Sequence, residues 1–149
     1  MKKNVVIILI ILLIIIAICT SGIKLKTKTN KVTLQQNKKY EVYLDHDIYG
    51  TDVITLINKA ISNNELNNVG KDEKGFYLNN NKDSINIELV MITGSVNQEK
   101  KTYKMETIEK VGITEFVKNF NSATFECTKK EYHLNTGKIA YIELTQKDN

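Results

Sequence analysis

Two groups of residues have side chains whose types and spacing suit chemistry. The tripeptide Asp45-His46-Asp47 places an imidazole between two carboxylates, a set that suits a divalent cation or acid–base catalysis. On an extended chain, however, neighbouring side chains point to opposite faces, so the three converge only if the backbone turns sharply. We therefore expect a solvated loop at residues 45–47.

Cys127 and His133 form the second group, because a thiol beside an imidazole can act as a nucleophilic dyad. If both residues lie on one strand, six positions separate them by about 20 Å, which is too far for a hydrogen bond. The alternation of Cys127 with Ala123 and Phe125 is typical of a small side chain that faces a core. An envelope enzyme that uses Cys127 with His133, or with His46, stays open as an alternative.

Other signatures of enzymes and of nucleic-acid binding are missing from the sequence. There is no glycine-rich phosphate loop and no His-Glu-x-x-His, Cys-x-x-Cys or Gly-x-Ser-x-Gly motif. We therefore assign no catalytic, cofactor-binding or metal-binding residue and expect a protein without a cofactor that is not an enzyme. All 21 basic residues are lysines, so the arginine forks that read bases and clamp phosphates are missing, and we expect no nucleic-acid partner.

The elements that must position these residues follow an N-terminal apolar run. Residues 5–19 are apolar without interruption, and a helix extended to residue 23 spans roughly 28 Å, close to the hydrocarbon thickness of a bilayer. Lys2 and Lys3 precede the run, as in a signal anchor. We expect residues 1–23 to be an uncleaved single-pass anchor that contacts lipid through residues 5–23.

Processing of the anchor leaves two alternatives. Cleavage before Thr20 would use Ala17 and Cys19 as the small residues of a signal-peptidase site, which they match poorly. Lipidation at Cys19 would require a small residue at position 18, where this chain has the bulky Ile18. Retention of the anchor is therefore our expectation.

A lysine-rich segment at residues 24–37 follows, and we expect it to form an extended or frayed basic stalk. Six lysines between residues 24 and 39 would favour a cytoplasmic domain by the positive-inside rule. The short tail before the apolar run is instead the usual form of an export signal. We expect an extracytoplasmic domain, with the cytoplasmic face as the alternative.

The charge of the chain is divided unevenly along its length. Eight lysines precede Glu41, which is the first acidic residue, so 13 lysines face 17 acidic residues from Glu41 onward and give that part a net charge of −4. The basic character belongs to the anchor and stalk, which suits attraction to an anionic surface.

Residues 38–149 are enough for a single domain with one core. Alternation and helical periodicity predict an α+β domain, an antiparallel sheet with one or two packed helices. The predicted elements are a strand at 38–44, a helix capped by Thr51 or Asp52 and ending at 62–64, a hairpin of 76–78 with 85–91, an ambiguous segment at 102–108, a helix at 114–119, and a hairpin of 123–127 with 139–144. The side chains predicted to face the core are Val53, Leu56, Ile57, Ala60 and Ile61 of the first helix, Ile85, Ile87, Leu89 and Met91 of the strand, and Phe116, Val117 and Phe120 of the second helix.

The helix start Tyr49-Gly50-Thr51-Asp52-Val53-Ile54, behind a hydrophobic anchor, resembles small membrane-anchored, partly pilin-like proteins of Gram-positive bacteria. Pilins and pseudopilins likewise combine an N-terminal hydrophobic helix with an antiparallel sheet. This chain lacks their Gly-Phe-Thr-Leu-like processing site and the Glu near the start of the run. The resemblance implies a surface-exposed, membrane-anchored protein.

Together these observations predict a membrane-anchored, non-enzymatic binding or scaffold domain at the cell surface. We expect its partner to be another envelope protein, and the seven tyrosines spread over the predicted elements suit either packing or an interface. A pilin-like subunit of a secretion or pilus system and an envelope enzyme are the alternatives.

Overall fold

The chain divides into two compact units, residues 1–35 and 36–149. The computed structural model describes residues 30–93 and 99–147. Within the described residues, no helix is long and apolar enough to cross a membrane. The predicted anchor lies outside the described residues.

The described part of the first unit, residues 30–35, is helical, so the prediction of an extended stalk is wrong there. Lys31, Leu34 and Gln35 are straight-chain or γ-branched residues that lose little rotamer freedom in a helix.

The second unit is an α+β domain, as predicted. Its described elements, in chain order, are α1 (36–41), β1 (Ile48–Tyr49), α2 (Gly50–Leu66), β2 (Asn86–Thr93), β3 (Glu99–Lys104), α3 (Met105–Val111), α4 (Ile113–Phe120), β4 (Thr124–Tyr132) and β5 (Ile139–Gln146). The strands form one sheet in the order β1-β4-β5-β2-β3.

The sheet is mixed, so the prediction of a purely antiparallel sheet is wrong. Three neighbouring pairs are antiparallel, but β2 and β5 run parallel, with Ile87 opposite Ile142 and Leu89 opposite Leu144. The β4–β5 hairpin enters the sheet with β5, rather than β4, beside β2. Alternation has a period of two in both kinds of pairing, so the pattern alone does not distinguish them.

The core lies between one face of the sheet and the helices. The strands contribute their alternate apolar residues, and the predicted inward set Ile85, Ile87, Leu89 and Met91 is buried. The opposite face of the sheet carries half-buried and exposed side chains. The fold therefore has one packed face and one face that the described helices leave uncovered.

Helix α2 supplies the predicted apolar stripe, which is buried: Val53, Leu56, Ile57, Ala60 and Ile61. Its predicted cap is wrong, because Tyr49 occupies the N-cap position and makes no side-chain cap bond. The first residue of α2, Gly50, lies close to the backbone at the end of α4. A Cβ there would lie 2.0 Å from Phe120 O, so only glycine permits this approach.

The end of α2 also lies further along the chain than predicted, at Leu66. Asparagine ends helices when its side chain competes for the local backbone. Here Asn64 is buried and its amide bridges to another segment, donating to Ile85 O and accepting from Ile85 N, both at 2.8 Å. Asn63 donates to Asp83 O at 2.7 Å. Because these amides bond outward, the helix continues.

Two predicted strands are wrong. Residues 38–44 form the end of α1 and a turn, in which Tyr40 and Leu44 are buried but Val42, which a strand would place on the same face, is exposed. Residues 76–78 make only an isolated bridge, between Lys71 and Tyr77, because Asp72 Oδ1 accepts from Lys74 N and Phe76 N and holds the chain in a tight turn. The predicted hairpin of 76–78 with 85–91 is therefore absent, and β2 pairs with β3 and β5.

The predicted elements after residue 101 agree with the structure. The ambiguous segment at 102–108 contains both elements, the end of β3 and the start of α3. The predicted helix at 114–119 is α4, which begins one residue earlier than predicted and follows Gly112 at a φ of 101°. The predicted C-terminal hairpin is confirmed as β4 and β5.

Candidate functional site

The tripeptide Asp45-His46-Asp47 lies in an exposed turn between α1 and β1. Asp47 Oδ2 accepts a hydrogen bond from Lys147 Nζ at 2.6 Å, which ties this turn to the residue after β5. In the part of the chain that the structure describes, no group of three or more His, Cys, Asp or Glu side chains could hold a metal ion.

His133 is buried directly after β4. Its Nε2 lies 2.7 Å from Ser84 O, so this nitrogen carries the proton and donates to a carbonyl. The His133 backbone also closes the hairpin, since its N donates to Lys138 O and its O accepts from Gly137 N, both at 2.8 Å. These bonds join the hairpin to the loop before β2 and give His133 a structural role.

Cys127 lies on β4 and is half-buried, with Sγ 3.5 Å from Lys129 O. Burial raises the pKa of the Cys127 thiol, which lowers the fraction present as the reactive thiolate. About 20 Å of strand separates it from His133. The structure therefore does not bring the two residues together as a dyad.

A cleft of about 190 Å³ opens on the helix side of the sheet, between the edge strand β3 and the helices α3 and α4. We call it the β3 cleft. Its floor is apolar and buried, and consists of Met91, Ile108 and Phe116. Tyr103 and Phe120 are half-buried in its walls, and Val111 stands at the rim with 63% of its surface exposed.

The β3 cleft exists because two short helices meet at a glycine. Gly112, at a φ of 101°, joins α3 to α4 in a backbone conformation that residues with a side chain disfavour. Phe116 then packs with Phe120 at a centroid distance of 5.1 Å and with Phe125 at 6.4 Å. These contacts hold α4 against the core while α3 and β3 form the other walls.

The strand beside this cleft has an unpaired edge. β3 is last in the strand order, so one side of its backbone has no neighbouring strand among the described residues. An edge strand presents alternate N–H and C=O groups that can pair with an added strand. Its exposed lysines, Lys100, Lys101 and Lys104, are the residues that proteins commonly place on such an edge.

The uncovered face of the sheet carries a carboxylate pair. Tyr141 Oη donates to Glu88 Oε2 at 2.9 Å and lies 3.4 Å from Glu143 Oε2. Burial, together with the hydrogen bond to Glu88, raises the pKa of Tyr141. Thr128 Oγ1 also donates to Glu143 Oε1 at 2.7 Å. The cluster is internally hydrogen-bonded and joins β2, β5 and β4.

A larger, open groove of about 550 Å³ lies between α1 and α2. Lys59, which lines this groove, already has partners within the protein. Its Nζ donates to Tyr43 Oη at 3.0 Å and to Lys39 O at 3.4 Å, and lies 4.4 Å from the centroid of the Tyr43 ring. The β3 cleft is therefore the better candidate site, because it combines an apolar floor with an unpaired strand.

Sequence reasoning did not find the β3 cleft. It did identify Met91 as inward-facing and Phe116 and Phe120 as the apolar side of a short helix. What it lacked was the juxtaposition of these residues. The usable signal was Val111-Gly112-Ile113, where two apolar residues flank a glycine at the junction of two helices. Both are exposed in the structure.

No protein-family model, no curated protein and no solved structure matches this chain.

Proposed function

We propose that this chain is a membrane-anchored, non-enzymatic binding module that takes up an extended segment of a partner protein along β3. The observation that supports this proposal is the position of the apolar β3 cleft directly beside the unpaired edge of the sheet. Strand addition needs these two features together. The edge supplies main-chain hydrogen bonds, and the pocket supplies selectivity for alternate side chains.

In the proposed complex, the partner segment lies beside β3 as a sixth strand. Every second side chain points to the helix side of the sheet, where it passes Tyr103 and enters the β3 cleft above Phe116. The exposed rim residue Val111 then loses contact with water. The partner supplies the apolar surface that this end of the core leaves uncovered.

The anchor is part of the proposal. The uninterrupted apolar run at residues 5–19, with Lys2 and Lys3 before it, supports a single-pass membrane anchor that contacts lipid through residues 5–23. The domain then lies on the extracytoplasmic side, where its partner is another envelope protein. We assign no catalytic role to His46, Cys127 or His133, because His46 is exposed in a turn and the other two are separated along β4.

Binding is tested with a random-peptide library on phage, panned against the full-length chain in detergent micelles. Val111→Gln removes apolar surface at the rim without adding charge, and we expect it to weaken the selected peptides about fivefold to tenfold. Leu134→Gln is the matched control, because Leu134 is fully exposed in the turn after β4. Selected peptides that bind Val111→Gln as tightly as the wild type would contradict the proposal.

Topology is tested separately, by protease treatment of intact cells stripped of their wall and expressing the chain with a C-terminal tag. We expect loss of the tag while a cytoplasmic control protein survives. Protection of the tag until the membrane is broken would place the domain on the cytoplasmic face.

A further inference from the structure

We propose that the segment bound along β3 is an extended strand in which acidic and apolar side chains alternate. This inference rests on the proposed function and adds the chemistry of the partner. Two features of the same strand support it. Lys100 and Lys104 lie on the uncovered face of β3, and Tyr103 lies on the helix side next to the apolar cleft, together with the exposed Lys101.

The β2–β3 register determines which residues of β3 share a face. Residues directly opposite each other in an antiparallel pair lie on the same side of the sheet. Tyr103 is opposite the buried Leu89, so it lies on the helix side, next to the cleft. The pairs on the uncovered face are Glu88–Lys104, Val90–Thr102 and Ile92–Lys100. Lys100 and Lys104 therefore flank Thr102 on the uncovered face.

Neither lysine forms a close ion pair in the described part of the chain, where the ion pairs involve Lys82, Lys129, Lys138 and Lys147. The pKa of Asp72 is lowered by the hydrogen bond from Phe76 N and, to a smaller extent, by the charge of Lys104. Lys104 Nζ lies 4.7 Å from the centroid of the Phe76 ring, and its neighbour Glu88 bonds to Tyr141 instead. An added strand brings its own side chains opposite Lys100 and Lys104. Opposite charges at such cross-strand positions are favourable.

The other face of the added strand meets different chemistry. The residue opposite Tyr103 enters a cleft whose floor is formed by Met91, Ile108 and Phe116. An apolar side chain buries its surface against that floor, whereas the polar lining residues Glu115 and Asn119 are exposed and already hydrogen-bond to each other. Because neighbouring residues of a strand alternate between faces, acidic residues must alternate with apolar ones.

A second copy of this chain fits the same edge poorly. If two β3 strands paired antiparallel about Thr102, Lys100 of each copy would lie opposite Lys104 of the other, and a parallel pairing would place like lysines side by side. Like charges directly opposite are destabilising. The occupant is therefore a different, acidic segment, and the lysines disfavour self-association through this edge.

The test measures binding of fluorescein-labelled peptides to the full-length chain in detergent micelles by fluorescence anisotropy. The probes are acetyl-(Glu-Val)4-amide, acetyl-(Lys-Val)4-amide and acetyl-(Glu-Ser)4-amide. We expect the Glu-Val peptide to bind about tenfold tighter than either of the others. The double variant Lys100→Glu with Lys104→Glu should reverse the preference between the Glu-Val and Lys-Val peptides. The control Lys74→Glu with Lys118→Glu has the same net charge and should not.

The outcomes separate the two proposals. If the Glu-Val and Lys-Val peptides bind equally and Val111→Gln weakens both, the β3 cleft stands as the site and the inference of an acidic partner is overturned. If peptide binding changes with neither Val111→Gln nor the lysine substitutions, both proposals fail. If the chain dimerises without peptide and Val111→Gln abolishes the dimer, the occupant is a second copy and the acidic partner is again overturned.

Discussion

Two regions of the domain differ in how completely their strands are paired and their apolar side chains are buried. In the packed region, which consists of α2, β4, β5 and the start of β2, β5 is paired on both sides, β4 pairs with β5 and, at Thr124 and Phe125, with β1, and buried polar groups are hydrogen-bonded. In the cleft region, which consists of β3, α3 and α4, an edge strand and an apolar cleft remain available. This difference is the basis of the proposal that the cleft region binds a partner, while the packed region holds the fold together.

The largest expected effect tests this division with truncations of apolar side chains. Leu144→Ala in the packed region removes a fully buried side chain between β2 and β4, and we expect it to lower the free energy of unfolding by about 4 kcal/mol. Phe120→Ala in the cleft region should lower it by about 2 kcal/mol, because Phe120 is half-buried at an opening that already admits solvent. Urea denaturation measures both. Equal losses of unfolding free energy in the two variants would contradict the distinction between the packed region and the cleft region.

The next prediction concerns asparagines of the two regions. Asn64→Ala leaves the N–H and C=O of Ile85 without partners inside the protein, and we expect a loss of about 3 kcal/mol. Asn119→Ala is the matched control in the cleft region. Asn119 is exposed and bonds only within its own helix, to Glu115, so its loss should stay within about 0.5 kcal/mol. A small effect of Asn64→Ala would mean that water replaces the amide.

A smaller effect is expected from the pH dependence of Tyr40, which lies in α1 and donates a hydrogen bond to Lys59 O of the packed region at 3.2 Å. Burial raises the pKa of Tyr40 from 10.0 to about 12. The phenol therefore ionises more readily in the unfolded chain, and its contribution to stability is complete below pH 10 and is lost as the pH rises from 10 to 12. We expect Tyr40→Phe to remove about 2 kcal/mol of this decline in denaturation curves measured across that range. An equal decline in the free energy of unfolding of the wild type and of Tyr40→Phe would contradict the assignment of this pH dependence to Tyr40.

The smallest expected change is at the rim of the cleft. Val111→Gln should alter the free energy of unfolding by less than about 0.5 kcal/mol, since Val111 is largely exposed in the free protein. The same variant should weaken peptide binding about fivefold to tenfold. Thermal unfolding and the phage-derived peptides measure the two properties on one sample, and a destabilised variant would show that the rim belongs to the core.

Periodicity in the sequence predicted the elements whose pattern agrees with their packing. The stripe from Val53 to Ile61, the alternation from Ile85 to Met91 and the β4–β5 hairpin are all present. The pattern was misleading at 38–44, where Tyr40 and Leu44 satisfy both a strand and a helix, because residues four apart share a face in either element. The longer-range bonds that decide the matter, such as Asn37 Nδ2 to Gly137 O at 2.8 Å, leave no local signal.

The β3 cleft was beyond sequence reasoning for a related reason. Its floor contains Met91 of β2 and Phe116 of α4. These residues lie together because α4, which follows Gly112, packs against the core through Phe116. No spacing rule connects them. The close contact of Gly50 with Phe120 O is similar, since the sequence shows a glycine but not the backbone that excludes a side chain.

The position of β5 has a consequence for how the protein is made. β5 is the last of the five strands to be synthesised, yet it lies in the middle of the sheet, between β4 and β2. A chain that has reached only β4 therefore lacks the strand that lies between its two halves. We expect the sheet to become complete only after residue 146 has left the ribosome.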